Sequence, residues 1–136
     1  MTYLVDANIL SEPTKLQPQA KVVEWLSCHA PVIAVDPIIL GEIRFGIHVL
    51  PSGERRRRLE RWFEEGVEAL HCLPWEAATG LRWARLLADL RAAGKAMPIK
   101  DSLIAATALV HGLTVATHNT RDFVKAGVKV VDPFED

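Results

Sequence analysis

Cysteine is nearly missing from this chain. Only Cys28 and Cys72 occur, far apart and in no CxxC setting, so the chain offers neither a disulfide framework nor a cysteine-rich metal site. Both are expected to be buried free thiols in a reducing compartment. Net charge is missing too. Lys and Arg number 16 against 17 Asp and Glu, leaving −1 at neutral pH. No overall field therefore draws in a polyanion, and any such ligand must be held by a local patch or a metal ion. No apolar run approaches the length of a membrane span. Thr2-Tyr3-Leu4-Val5-Asp6 also lacks the basic start and long apolar stretch of a secretion signal. The expectation is a cytoplasmic protein without membrane contact. Repeats, low-complexity tracts and linkers are absent as well, so residues 1–136 read as a single domain.

What the chain does have is apolar content, 49%, and four tryptophans, enough to leave apolar surface for another subunit or partner. Short apolar runs alternate with helical periodicity from end to end, the pattern of an α/β domain with a central, mainly parallel sheet of four to five strands flanked by helices. The reading places strands at Tyr3–Val5, Val32–Val35, Leu70–Leu73, Leu113–Thr117 and Val128–Val131. Helices are expected near Ala7, over Pro18–His29 with Val22, Val23 and Leu26 on one face, from Pro37 to about Leu50, and over Glu54–Ala69. A long helix opens at Pro74-Trp75 and ends near Gly94, with Ala77, Ala78, Leu81, Ala84, Leu87 and Leu90 as its apolar stripe. Another runs from Pro98 to Gly112, and a helical turn leads to Phe123. Asp36-Pro37 is a helix start with Asp as N-cap and Pro at the first helical position.

Three acids interrupt this apolar pattern. Asp6 closes Tyr3-Leu4-Val5, Glu42 lies inside Ile38-Ile39-Leu40-Gly41-Glu42-Ile43, and Asp101 precedes Leu103-Ile104-Ala105-Ala106. Unpaired buried carboxylates are costly, and clustered ones repel each other. A divalent cation lets them share one pocket. In an open parallel sheet, ligand sites collect at the C-terminal strand ends. Asp6 ends the first strand, Asn119 follows the Leu113–Thr117 strand, Asp101 opens a helix, and Glu42 sits about one and a half turns into another. All four therefore converge on one crevice. An oxygen-rich donor set with few nitrogen or sulfur ligands selects a hard cation such as Mg²⁺ or Mn²⁺, whose bound water is suited to attack on a phosphodiester.

Each residue alone has a plainer explanation: Asp6 as a helix cap, Glu42 as a solvent-facing helical residue, Asp101 as a first-turn acid favoured by the helix dipole, Asn119 as a turn residue. Asn8 is placed to support Asp6 or the start of the helix by a hydrogen bond, and Thr117 to back the site's acids from behind; either residue could equally just satisfy backbone groups. Lys100 and Arg44 flank the acids, where they steer phosphate or pair with the carboxylates. The run Arg55-Arg56-Arg57-Arg58 is balanced by Glu54, Glu60, Glu64, Glu65 and Glu68, with pairs such as Arg56–Glu60 and Arg61–Glu65 at the spacing of a solvated helix. The five histidines share no zinc spacing, and only His118 adjoins the crevice. Trp25, Trp62 and Trp83 read as core or interface anchors.

Leu4-Val5-Asp6-Ala7-Asn8-Ile9-Leu10-Ser11-Glu12 resembles the opening motif of PIN-domain ribonucleases, in particular VapC/FitB-type toxins of type II toxin–antitoxin pairs. Gly41-Glu42-Ile43-Arg44-Phe45-Gly46 is similar to their second acidic motif. Ile99 through Ala108, containing Asp101, resembles the third, and Val115 through Phe123, containing Asn119, the last. The resemblance covers essentially the whole chain. It implies an Mg²⁺- or Mn²⁺-dependent endoribonuclease acting on RNA, neutralised by a cognate VapB-like antitoxin and homodimeric. Asp6, Glu42, Asp101 and Asn119 then act as catalytic and metal-binding positions. At the fourth position the family often has Asp where this chain has Asn119, and Asp122 is the alternative carboxylate. Ala7 and His118 stand where Thr and Arg are common. The Asn119 departure supports an alternative, a catalytically weakened PIN-fold module that binds RNA without cutting it. A phosphoaspartate signalling domain is disfavoured by the lack of an adjacent acid pair and a strand-end Lys. An Asp-x-Asp phosphatase is disfavoured by Asn8 at the second Asp position.

Overall fold

The computed structural model of the protein describes residues 1–135. Its sheet contains β1 (Tyr3–Val5), β2 (Ile33–Val35), β3 (His71–Cys72), β4 (Thr114–Ala116) and β5 (Val130–Val131), all parallel, in the order β3-β2-β1-β4-β5. Leu4, Val5, Ala34, Val35, Val115 and Ala116 are fully buried. Covered on both faces, the three inner strands read as continuous apolar runs rather than alternating ones.

The helices are α1 (Ala7–Leu10), α2 (Ala20–His29), α3 (Pro37–His48), α4 (Glu54–Glu65), α5 (Ala77–Ala92), α6 (Ile99–His111) and α7 (Thr120–Val124). Asp36 caps α3 as expected, its Oδ1 accepting the Ile39 N–H at 2.9 Å. Its Oδ2 accepts the Thr107 hydroxyl at 2.7 Å, tying the end of β2 and the start of α3 to the second half of α6 in one buried polar joint. Burial pushes the Asp36 carboxyl up, against those hydrogen bonds. Gly112 ends α6 in the left-handed region at φ 65°, where its lack of a Cβ removes the strain.

Several expected details shift. The helix from Glu54 stops at Glu65 rather than Ala69, because Gly66 closes it and a 3₁₀ turn, Val67–Ala69, follows. The long helix begins at Ala77 rather than Pro74, where the Thr79 hydroxyl accepts the Glu76 N–H at 3.3 Å. Its stripe is also rotated. Thr79, Leu86 and Leu90 are buried, while Ala77, Ala78, Ala84 and Leu81 face out, Leu81 at 74% exposure. Residues 79, 83, 86 and 90 form a clean helical stripe that includes Trp83, whose Nε1 donates to Ser102 Oγ of α6 at 2.9 Å. The Trp83–Ser102 bond joins Leu86 and Leu90 on this face, and hydrophobicity alone could not reveal it. In α2, Val22 is fully buried and Leu26 partly, but Val23 is exposed. Neither cysteine is buried: Cys28 and Cys72 are both exposed free thiols, Cys72 because β3 is an edge strand with outward-facing residues. The surplus apolar surface expected from composition appears at Leu16, Phe45, Leu81 and Ile99.

Candidate active site

Strands β1 and β4 are neighbours, but the chain leaves them in opposite directions, toward β2 and β3 on one side and β5 on the other. Loops diverge at such a switch point and open a crevice at the strand ends. Asp6, one residue beyond β1, enters it almost fully buried. Its Oδ1 caps α1 through the Ala7 N–H at 2.8 Å, and its Oδ2 accepts from Thr117 Oγ1 at 2.7 Å and Asn8 Nδ2 at 3.3 Å. Asp6 is thus both a helix cap and a crevice acid. Burial is the main force that pushes its carboxyl up, to about 6, with help from the charges of Glu42 and Asp101. The Thr117 and Ala7 hydrogen bonds pull the other way. Asn8 also accepts the His118 N–H through Oδ1 at 3.1 Å, stitching the β1 and β4 loops together.

Asp101 lies in the first turn of α6 and is buried. Burial raises its carboxyl, Lys100 opposes that, and the charges of Asp122 and Glu42 add to it. Glu42 reaches over from α3. One of its oxygens accepts the Lys100 ammonium at 2.7 Å, while the other, Oε1, is shielded from solvent without a hydrogen-bond partner. The three acids from three distant segments therefore lie within one another's electrostatic reach.

Asn119 is part of the same cluster. Its Nδ2 donates to Asp101 Oδ2 at 2.9 Å and to Asp122 Oδ2 at 3.0 Å. Ionised carboxylates only accept, so both partners require the amide nitrogen on that side. Asp122 accepts in addition from Lys125 at 3.1 Å. The Asn119 and Lys125 bonds hold the Asp122 carboxyl low. Asp122, the alternative carboxylate of the sequence reading, is thus linked to Asp101 through Asn119.

Not every flanking residue joins. Arg44 lies over the Phe63 ring, 5.4 Å from its centroid, and 3.7 Å from Glu60 of α4, so it braces two helices. His118 stands at the rim, its Nδ1 3.1 Å from Asp132 and its ring against Phe134. On α4, Arg56 meets Glu60 at 3.9 Å as its spacing suggested, but Arg61 pairs with Glu54. One buried acid had escaped notice. Glu12 accepts the Gln19 N–H at 2.9 Å and pairs with Lys15 at 2.8 Å, and its signals were the three-residue spacing to Lys15 and its place at the end of the opening motif.

A family model described as the PIN domain matches residues 3–129. This chain belongs to the PIN-domain family. Among PIN-domain relatives, it is 33% identical to the VapC ribonuclease Y4jK of Sinorhizobium fredii, with 97% of each chain covered. It is 34% identical to the toxin FitB of Neisseria gonorrhoeae over 98% of this chain and 99% of the other. The crystal structure of FitAcB from Neisseria gonorrhoeae superposes with a TM-score of 0.93 at 32% identity, covering 99% of this chain and 100% of that one.

For a PIN domain, the donor set fits a hard divalent cation. The crevice offers carboxylate oxygens, mutual repulsion that a cation relieves, and the partnerless Glu42 Oε1. Among the described residues, no three His, Cys, Asp or Glu side chains already form a ligating group.

Proposed function

We propose that this chain is a metal-dependent endoribonuclease toxin that uses Mg²⁺ or Mn²⁺ to hydrolyse RNA phosphodiester bonds and is held inactive by a cognate VapB-like antitoxin. One observation carries the reading: Asp6, Glu42 and Asp101 converge on a switch-point crevice, where the charge of Glu42 helps to push the Asp6 and Asp101 carboxyls up, beside a carboxylate oxygen with no protein partner. The relatives named a VapC ribonuclease and a toxin support it.

In this reading Asp6, Glu42 and Asp101 hold the ion. When bound, it supplies an activated water and neutralises charge growing on the phosphate. Thr117 and Asn8 fix the Asp6 carboxylate, and Asn119 fixes Asp101 from its amide nitrogen. A furrow lined by Thr14, Lys15, Glu54, Arg55 and Arg58 adjoins one that passes Asn8 to Glu42, and its three cations against one acid give the RNA backbone an approach to the crevice. The exposed apolar side chains Phe45, Leu81 and Ile99 provide surface for a homodimer or the antitoxin.

The amide orientation of Asn119 favours one competing reading, a weakened PIN-fold module that binds RNA without cutting it. One assay separates the two: cleavage of a mixed RNA pool by the purified, antitoxin-free chain with Mg²⁺ or Mn²⁺, beside EDTA and an Asp6→Ala, Asp101→Ala double variant. Metal-dependent cutting that vanishes in the double variant is the expected result. Metal and RNA binding without cutting would favour the weakened module. A chain that neither binds metal nor cuts RNA would overturn the carboxylate reading.

A further inference from the structure

Lys100 stands where the acidic crevice needs a positive charge. From the first turn of α6 its ammonium spans to α3 and lies 2.7 Å from Glu42 Oε2. Besides Glu42, the charges of Asp101 and Asp6 act on it. A single ammonium thus sits in the field of all three acids. The neighbouring cations are engaged elsewhere: Arg44 with Glu60 and Phe63, and Lys125 with Asp122 and the Ala96 carbonyl.

The geometry points to Lys100 as a tethered cation that competes with the divalent ion for Glu42, so that metal loading requires Lys100 to release that carboxylate. The inference rests on the metal reading above. Three features make the exchange feasible. The pair is half-exposed, 48% at Lys100 and 30% at Glu42, and such ion pairs are weak. Lys100 has a flexible stem with water on its outer side, so it can turn away without moving the adjacent Asp101 backbone. Glu42 meanwhile keeps its second oxygen unpartnered. Before loading, the ammonium relieves carboxylate repulsion. Once Glu42 is released, it is a mobile positive charge at the mouth of the crevice.

The test is direct Mn²⁺ binding, read from the electron paramagnetic resonance of free Mn²⁺ at low ionic strength without RNA. Wild type, Lys100→Met, Lys100→Arg, Glu42→Gln and the Glu42→Gln, Lys100→Met pair are compared, with circular dichroism to check folding. Lys100→Met should bind Mn²⁺ about three- to tenfold tighter, the size expected from removing one charge near a divalent ion in well-solvated surroundings. Lys100→Arg should stay near wild type. In the Glu42→Gln background the gain from Lys100→Met should disappear. Equal or weaker binding by folded Lys100→Met, with wild type binding normally, overturns the inference and leaves the metal reading standing. If no variant binds Mn²⁺, both fall.

Discussion

Thr117 donates its hydroxyl to Asp6 Oδ2 at 2.7 Å, across the seam between β1 and β4, and accepts the Asn119 N–H at 3.0 Å on the same oxygen. One fully buried hydroxyl thus orients the strand-end acid and positions the residue that holds Asp101. Thr117→Val keeps the shape and removes both bonds. It should cost about 1–3 kcal/mol, because a buried carboxylate loses a donor, and it should raise the Asp6 carboxyl further. Thr117→Ser should restore most of the loss. Urea unfolding of the three proteins at pH 7 checks this, and a Val variant as stable as wild type would remove Thr117 from the account.

The Asp6 carboxyl, pushed up to about 6, makes a signed prediction. A carboxyl with a higher pKa folded than unfolded binds more protons in the native state. Folding is therefore weakened as pH rises from about 4 to about 6, and the full penalty remains above that window. Asp6→Asn abolishes the charge at the loss of one acceptor oxygen. In EDTA at pH 7.5 it should be more stable than wild type by about 1–2 kcal/mol, within the roughly 3 kcal/mol that about two pKa units represent. At pH 4 the advantage should be gone. Melting curves across this range decide it, and an Asn variant no more stable at pH 7.5 would contradict the charged-state penalty.

The sequence made legible what periodicity and strand-end placement determine. The parallel sheet, the Asp36 cap and the meeting of Asp6, Glu42 and Asp101 all follow from runs such as Tyr3–Val5 leading straight into a polar residue. Side-chain choices among near-equal partners were not legible. Whether Arg44 turns to Glu42 or to Glu60 depends on where α4 packs, and the buried face of α5 includes a Trp83–Ser102 bond made across 19 residues. The exposed cysteines belong to the same class: thiols are buried by composition statistics, but Cys72 lies on a two-residue edge strand that leaves it outside.

The sequence left Arg44 either to steer phosphate or to pair with the crevice carboxylates, and its contacts are with Glu60 and Phe63. With Phe63 beneath the guanidinium and Glu60 beside it, Arg44→Ala should cost about 0.5–1.5 kcal/mol of stability through lost cation–π and ion-pair contacts. RNA affinity should not change. Fluorescence anisotropy with labelled RNA, alongside thermal melts, separates the two roles. A loss of RNA affinity at unchanged stability would return Arg44 to the substrate.

Asn119→Asp restores the acid often found at this position in the resembling toxins, yet it should not be benign here. The amide nitrogen serves Asp101 and Asp122 at once, so an added carboxylate loses two donor bonds and faces two like charges. In EDTA the variant should lose about 1–3 kcal/mol. Millimolar Mn²⁺ should recover part of that loss, because a divalent ion pairs with the extra charge. The Mn²⁺-induced rise in melting temperature should therefore exceed that of wild type. A variant as stable as wild type in EDTA would mean that the Asn119 amide does not restrain the acids. A variant that is destabilised but no more responsive to Mn²⁺ would place the metal away from Asp101.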